Sequence, residues 1–88
     1  MIFYKVSIFA ATRKYIDGEF VERDEEHFFA NESNANACFD QAIAKYKEKG
    51  EGELEYDSNG KDFFLAIELN EWDEWFFSVR LTKKGTED

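Results

Sequence analysis

The sequence predicts an α+β fold: one antiparallel-type sheet of about five strands, in the order ββαβββ, packed on a single helix. Three observations carry this. Apolar and polar residues alternate along residues 2–16, as they do on a half-buried strand. Two turn dipeptides, Asp17-Gly18 and Asn59-Gly60, signal hairpins. One segment, 33–50, instead repeats its apolar residues at helical spacing.

Residues 2–16 alternate, with Tyr4, Val6, Ile8 and Ala10 on one side and Lys5 and Ser7 on the other. Asp17-Gly18 then suggests a two-residue type I′ turn, in which both central residues take φ > 0. Pairing Ile16 with Glu19 would set Tyr15 opposite Phe20, Arg13 opposite Glu22 and Val6 opposite Phe29. The base of this hairpin is apolar. Its tip is charged (Arg13, Lys14, Asp17, Glu19, Glu22, Arg23, Asp24), so the tip is expected to project beyond the core.

In the helical segment Ala35, Cys38, Phe39, Ala42, Ile43 and Tyr46 form the apolar stripe. Ser33 is the expected N-cap and Gly50 the expected C′ residue, with Lys45, Lys47 and Lys49 near the negative end of the helix dipole. The remaining three strands form a meander. Pairing Ser58 with Lys61 aligns Tyr56 with Phe63 and Leu54 with Leu65. Pairing Leu69 with Trp75 aligns Ile67 with Phe77, Leu65 with Val79 and Phe63 with Leu81. All these partners are apolar, which supports a common core face. Trp75 and Phe77 therefore belong to the core. Residues 1–84 read as one domain and 85–88 as a frayed tail.

Composition limits the function. The chain has 88 residues and a net charge of −9. Phosphate contact needs a basic footprint, so direct binding to nucleic acid is disfavoured, as is an anionic membrane surface. The start MIFYKVSIFAATRKY lacks the basic n-region of a signal peptide, and no apolar run has the length of a membrane span. Cys38 is the single cysteine, so an internal disulfide is excluded, and the expected setting is a reducing, cytoplasmic one. Ten Phe, four Tyr and two Trp supply the core in place of staples.

Motifs for chemistry are few. His27, in Asp24-Glu-Glu-His27, is the only histidine. One His and a distant Cys are too few nitrogen and sulfur donors for a closed metal site. Cys38 lies on the apolar stripe, where a small buried hydrophobe is the ordinary role. No glycine-rich phosphate loop is present. The expectation is a non-enzymatic protein with no metal and no cofactor. A small enzyme or ligand-binding domain around His27 is the alternative it displaces.

One helix covers one face of a sheet, so the other face meets solvent or a partner. By the expected register that face carries Glu53, Glu55 and Asp57, then Phe64 and Glu68, then Phe76. Glu51 would extend the acids to a row at i, i+2, i+4, i+6. Trp72 lies in the last loop between Glu71 and Asp73. These ten residues are the candidate partner-binding surface: acids steer a basic partner and aromatics anchor it. A solvated, charge-protected edge strand is the plain alternative. A homo-oligomer burying Phe64 and Phe76, a homodimer in the simplest case, is another.

In size, acidity and α+β make-up the whole chain resembles small phage-encoded counter-defence proteins, anti-CRISPR inhibitors and nucleic-acid mimics among them. The resemblance involves no motif and assigns no residue. It implies a basic, nucleic-acid-binding target on which the acids stand where phosphate normally lies.

Overall fold

The first and last strands of the chain lie side by side at the middle of the sheet. The computed structural model describes residues 1–85. It contains β1 (Ile2–Lys14), β2 (Gly18–Phe29), α1 (Glu32–Tyr46), a 3₁₀ turn (Lys47–Lys49), β3 (Glu53–Asp57), β4 (Gly60–Glu68) and β5 (Glu74–Gly85). The strand order is β2-β1-β5-β4-β3, and every neighbouring pair is antiparallel. The fold is thus α+β, with the ββαβββ order of the sequence reading. Gly85 is still paired, opposite Ile2. The rest of the expected tail, 86–88, lies outside the described residues.

The core forms between α1 and the middle of the sheet. Val6, Ile8 and Ala10 of β1, Leu65 of β4, and Trp75, Phe77, Val79 and Leu81 of β5 are buried against Ala35, Phe39, Ala42 and Tyr46. The small Ala35 and Ala42 let the helix approach closely. Tyr46 then brings its ring centroid to 4.4 Å from Phe77 and 5.4 Å from Trp75. The helix lies over β1, β5 and β2 and does not extend over β3. Leu54 and Tyr56 were expected in the core, and they are on the correct face, but no layer covers it there. Tyr56 is 72% exposed.

All three hairpins depart from the register read off the sequence. Between β1 and β2 the loop is Tyr15-Ile16-Asp17, closed by Lys14 opposite Gly18. Among the described residues Gly18 alone lies in the left-handed region, with φ 89°, and no non-glycine residue has positive φ. Asp17 therefore cannot form a type I′ turn, and a three-residue loop with glycine in the left-handed position forms instead. A further irregularity falls between Ala10 and Ala11. The expected partners Phe20, Glu22 and Phe29 are replaced: Thr12 faces Phe20, Arg13 faces Glu19 and Val6 faces His27. In the second hairpin Ser58 and Asn59 form the loop and Asp57 faces Gly60, so Tyr56 meets Lys61 and Leu54 meets Phe63. The Asp57 carboxylate accepts from the Asn59 N–H at 2.8 Å, and the Asn59 carbonyl accepts from Lys83 N–H at 2.7 Å. In the third hairpin Ile67, not Leu69, faces Trp75, and Leu65 faces Phe77. The last two shifts are of two residues. Side chains alternate with period two, so the faces survive the shift and the core keeps its composition.

The helix ends also differ from expectation. Asn31, not Ser33, is the N-cap: its side chain accepts from Asn34 N–H at 3.2 Å, from the extended backbone that a cap requires. At the other end the chain tightens into the 3₁₀ turn, and Gly50 is extended (φ 163°) rather than left-handed. The first hairpin's tip lies beyond the helix but is not a free arm. β1 pairs with β5 as far as Arg13 opposite Glu74, and Tyr15 N–H donates to Asp73 Oδ1 at 3.2 Å.

Two glycines separate turn geometry from close approach. A Cβ on Gly60 would run into the Leu81 backbone carbonyl, whereas a Cβ on Gly18 meets nothing within 4 Å. Gly60→Ala should lower stability by about 1–3 kcal/mol through overpacking. Gly18→Ala should lower it by about 1–2 kcal/mol through backbone strain alone. Urea denaturation of both variants checks this, and a neutral Gly60→Ala would contradict the close β4–β5 approach.

Candidate interaction surface

Among the described residues no element lies over the sheet face opposite α1. Across its centre run three aromatic rings from three adjacent strands. Phe9 of β1 stacks on Phe76 of β5 at 5.7 Å between centroids, and Phe76 lies 6.5 Å from Phe64 of β4. The Arg13 guanidinium sits over the Phe76 ring at 5.2 Å. Ala11, cross-strand from Phe76, is fully buried on this side, so neighbouring side chains close over it. Phe64 is 51% exposed.

Acids border this stripe at both edges of the sheet. On β3, Glu53 faces Phe64 and Glu55 faces Asp62. On β2, Asp24 faces Phe9 and Glu26 faces Ser7. Four strand spacings separate β2 from β3, or about 19 Å. Four described cations lie between the edges, and three of them are engaged; the fourth, Lys84, stands opposite Phe3. Arg80 donates to Asp57 at 2.5 Å and Asp62 at 2.6 Å. Lys5 lies 3.6 Å from Glu26. Arg13 spans Glu19 and Glu74 at 3.5 and 3.2 Å. Arg80, with help from the Asn59 N–H, holds the Asp57 carboxyl below the usual carboxylate range, and Asp57 raises Arg80 in return.

Nine of the ten candidate residues fall into two groups. Glu53, Glu55, Asp57, Phe64 and Phe76 share the open face. Glu68, opposite Glu74, lies at its end, and Glu71, Trp72 and Asp73 lie in the β4–β5 loop beyond it. Two expectations, on Glu51 and Phe76, are corrected. Glu51 is not part of the acid row; it precedes β3 and lines a hollow with Asp40 and Ile43 on the helix side. Asp57 is neutralised by Arg80. Phe76 is not an exposed anchor but a half-buried one between Phe9 and Phe64. Trp72 is 65% exposed and pairs with Tyr15 at 5.2 Å.

Sequence reasoning missed Phe9, Arg13, Asp24 and Glu26. Alternation along β1 puts Phe9 on the face away from Val6 and Ile8, whereas the all-charged run Glu22–Glu26 of β2 gives no such signal for Asp24 and Glu26. Placing them beside Phe76 requires β1 to neighbour β5, which no local pattern reveals.

His27 belongs to a different cluster, at the seam of β2 and α1. Glu25 accepts from Arg23 Nε at 2.5 Å, and His27 Nε2 lies 3.0 Å from it. Arg23 also reaches the Tyr46 hydroxyl at 3.4 Å. These partners, Arg23 foremost, hold the Glu25 carboxyl down to about 2. A carboxylate so stabilised is a weak base. Burial pushes the Cys38 thiol upward, away from the thiolate a nucleophile needs. The cluster acts as a clamp between strand and helix. Among the described residues no group of three or more His, Cys, Asp or Glu is placed to hold a metal ion, and no helix is long and apolar enough to cross a membrane.

Comparison with family models, with curated proteins and with solved structures finds no match to this chain.

The clamp has a pH signature. The folded pKa of Glu25 lies below its ordinary 4.5. Its contribution to stability is therefore complete above about pH 4.5 and is lost as pH falls toward about 2. Glu25→Gln should lower stability at neutral pH and flatten the acid limb across that window. Urea midpoints measured from pH 2 to 7 check this; parallel curves for the two proteins would contradict it.

Proposed function

We propose that the chain is a non-enzymatic, cytoplasmic protein-binding module whose open sheet face occupies a basic site on a larger partner. The observation that carries the reading is the stripe Phe9–Phe76–Phe64 lying uncovered between two acidic edges. Aromatic area supplies anchoring, while acidic rims supply steering and register. Of the four described cations on this face, Lys5, Arg13 and Arg80 are tied to its own acids. Glu53 and Glu55 on the β3 edge make no ion pair among the described residues, so their charge is available to a partner.

The finer reading is an inhibitor of the nucleic-acid-mimic type, anti-CRISPR proteins being the model. Glu53 and Glu55 are two positions apart on a strand, about 6.5–7 Å, and would stand where a nucleic-acid-binding protein holds phosphates. The oligomer reading draws on the same exposed Phe64. It is the weaker one, because stacking this face on a copy of itself brings acidic edges near acidic edges.

The reading predicts that tagged protein captures a basic protein from host lysate at low salt. Capture should weaken steeply as ionic strength rises, and Glu53→Lys with Glu55→Lys should reduce it at least tenfold. Capture indifferent to salt and to both substitutions would contradict the proposal. A stable dimer by light scattering, disrupted by Phe64→Ser, would favour the oligomer instead.

A further inference from the structure

Beyond the sheet face, the β1–β2 turn and the β4–β5 loop enclose an open notch of about 690 Å³. That volume lies within the range of ligand pockets. Its apolar wall is the exposed pair Tyr15 and Trp72, with Ile16 beside them; Tyr15 is 74% and Ile16 88% exposed. Its rim holds Asp17, Glu71 and Asp73. Tyr15, Ile16 and Trp72 form contiguous exposed apolar surface, which is a feature of interaction sites.

The walls are built rather than loose. Asn70 Oδ1 accepts from the N–H groups of Trp72 and Asp73 at 2.9 and 3.0 Å. Asp73 Oδ2 accepts from Asn70 Nδ2 at 3.0 Å, and its Oδ1 accepts from Tyr15 N–H. The Asp73 carbonyl accepts from Leu69 N–H at 2.9 Å. The two loops are thus joined, and Trp72 is presented from a hydrogen-bonded turn. Asn70 and the Tyr15 N–H also hold the Asp73 carboxyl below its usual range, which keeps it anionic. Among the described residues Asp17 and Glu71 make no ion pair or hydrogen bond. Among the described residues Lys14 is the one cation lining the notch; its Nζ lies over the Phe20 ring, 5.5 Å from the ring centre, and its charge also acts on the Asp73 carboxyl.

We propose that this notch is a receptor for one basic side chain, an arginine or lysine of a protein partner, held over the Trp72 and Tyr15 faces and ringed by the Asp17, Glu71 and Asp73 carboxylates. A ring face attracts a cation, and the carboxylates select for it over an apolar group. A second copy of this chain fits poorly, since two chains of charge −9 repel. The inference rests on the reading above in one respect: the basic partner is the same one, and the notch adds a contact outside the sheet face.

Calorimetric titration with a hexa-arginine peptide at low salt tests it, with hexa-glutamate as control. The expected result is saturable binding of the arginine peptide alone. Trp72→Leu, which keeps an apolar surface but removes the π face, should weaken binding at least tenfold. Trp72→Phe should retain most of it, and Glu53→Lys with Glu55→Lys should change it less than threefold. Equal binding by wild type and Trp72→Leu, or no binding by the wild type, overturns the notch. Loss in the Glu53/Glu55 variant with retention in Trp72→Leu also overturns it, while leaving the sheet-face reading standing. A dimer by light scattering that Trp72→Leu dissolves overturns it by making the occupant a second copy.

Discussion

The pairing of β1 with β5 is the contact on which the rest of the molecule depends. It sets twelve residues of each strand against one another, from Ile2 opposite Gly85 to Arg13 opposite Glu74. It also joins two hairpins that would otherwise be separate units. On one face it lines up Val6, Ile8 and Ala10 with Leu81, Val79 and Phe77, making the floor on which Phe39 and Tyr46 pack. On the other it brings Phe9 beside Phe76 and Arg13 beside Glu74. Core and candidate surface are two sides of one ladder. Burial of the core residues, about 1.5–3 kcal/mol for each large side chain, therefore also fixes the geometry of the open face.

The single helix explains why the faces are unequal. Fifteen residues of α1 give a rod of about 22 Å, enough to cover the strands at the centre and the β2 side. The Arg23–Glu25–His27 clamp fastens β2 beneath it. β3 has no such cover, and its five residues are all exposed. Edge strands invite unwanted pairing, and charge is one common protection. Glu53 and Glu55 serve that purpose whatever else they do. What protection alone does not require is an aromatic stripe in the middle of the same face, or an exposed Trp72 on a tightly bonded loop at its end.

Much of this was legible in the sequence, and the limit has a physical source. Period-two alternation assigned Leu65, Trp75, Phe77, Val79 and Leu81 to the core face, and helical spacing assigned Ala35, Phe39, Ala42 and Tyr46. Those assignments depend on the face alone. Register depends on turns, and there the dipeptide signals misled. Asp17 keeps negative φ, so Gly18 serves a three-residue loop. Gly60 is needed for its closeness to Leu81 rather than for a turn φ. Within the candidate site, Phe64, Glu53, Glu55 and Trp72 were found from alternation and loop position. Glu51 was placed wrongly because alternation was extended past the strand's start. Phe9, Asp24 and Glu26 were missed because strand order is a non-local property. The partner of Asp57 was missed for a related reason: Arg80 lies two strands away.

The central claim is that one face of this sheet is closed by the helix while the other presents aromatic side chains to solvent. Residue-resolved hydroxyl-radical labelling of the free protein, read by mass spectrometry, tests it most directly. The account predicts strong modification of Phe64 and Trp72, with Phe39, Phe77 and Trp75 spared under the same dose. Protection of Phe64 and Trp72 equal to that of Phe77 in a verified monomer would contradict it.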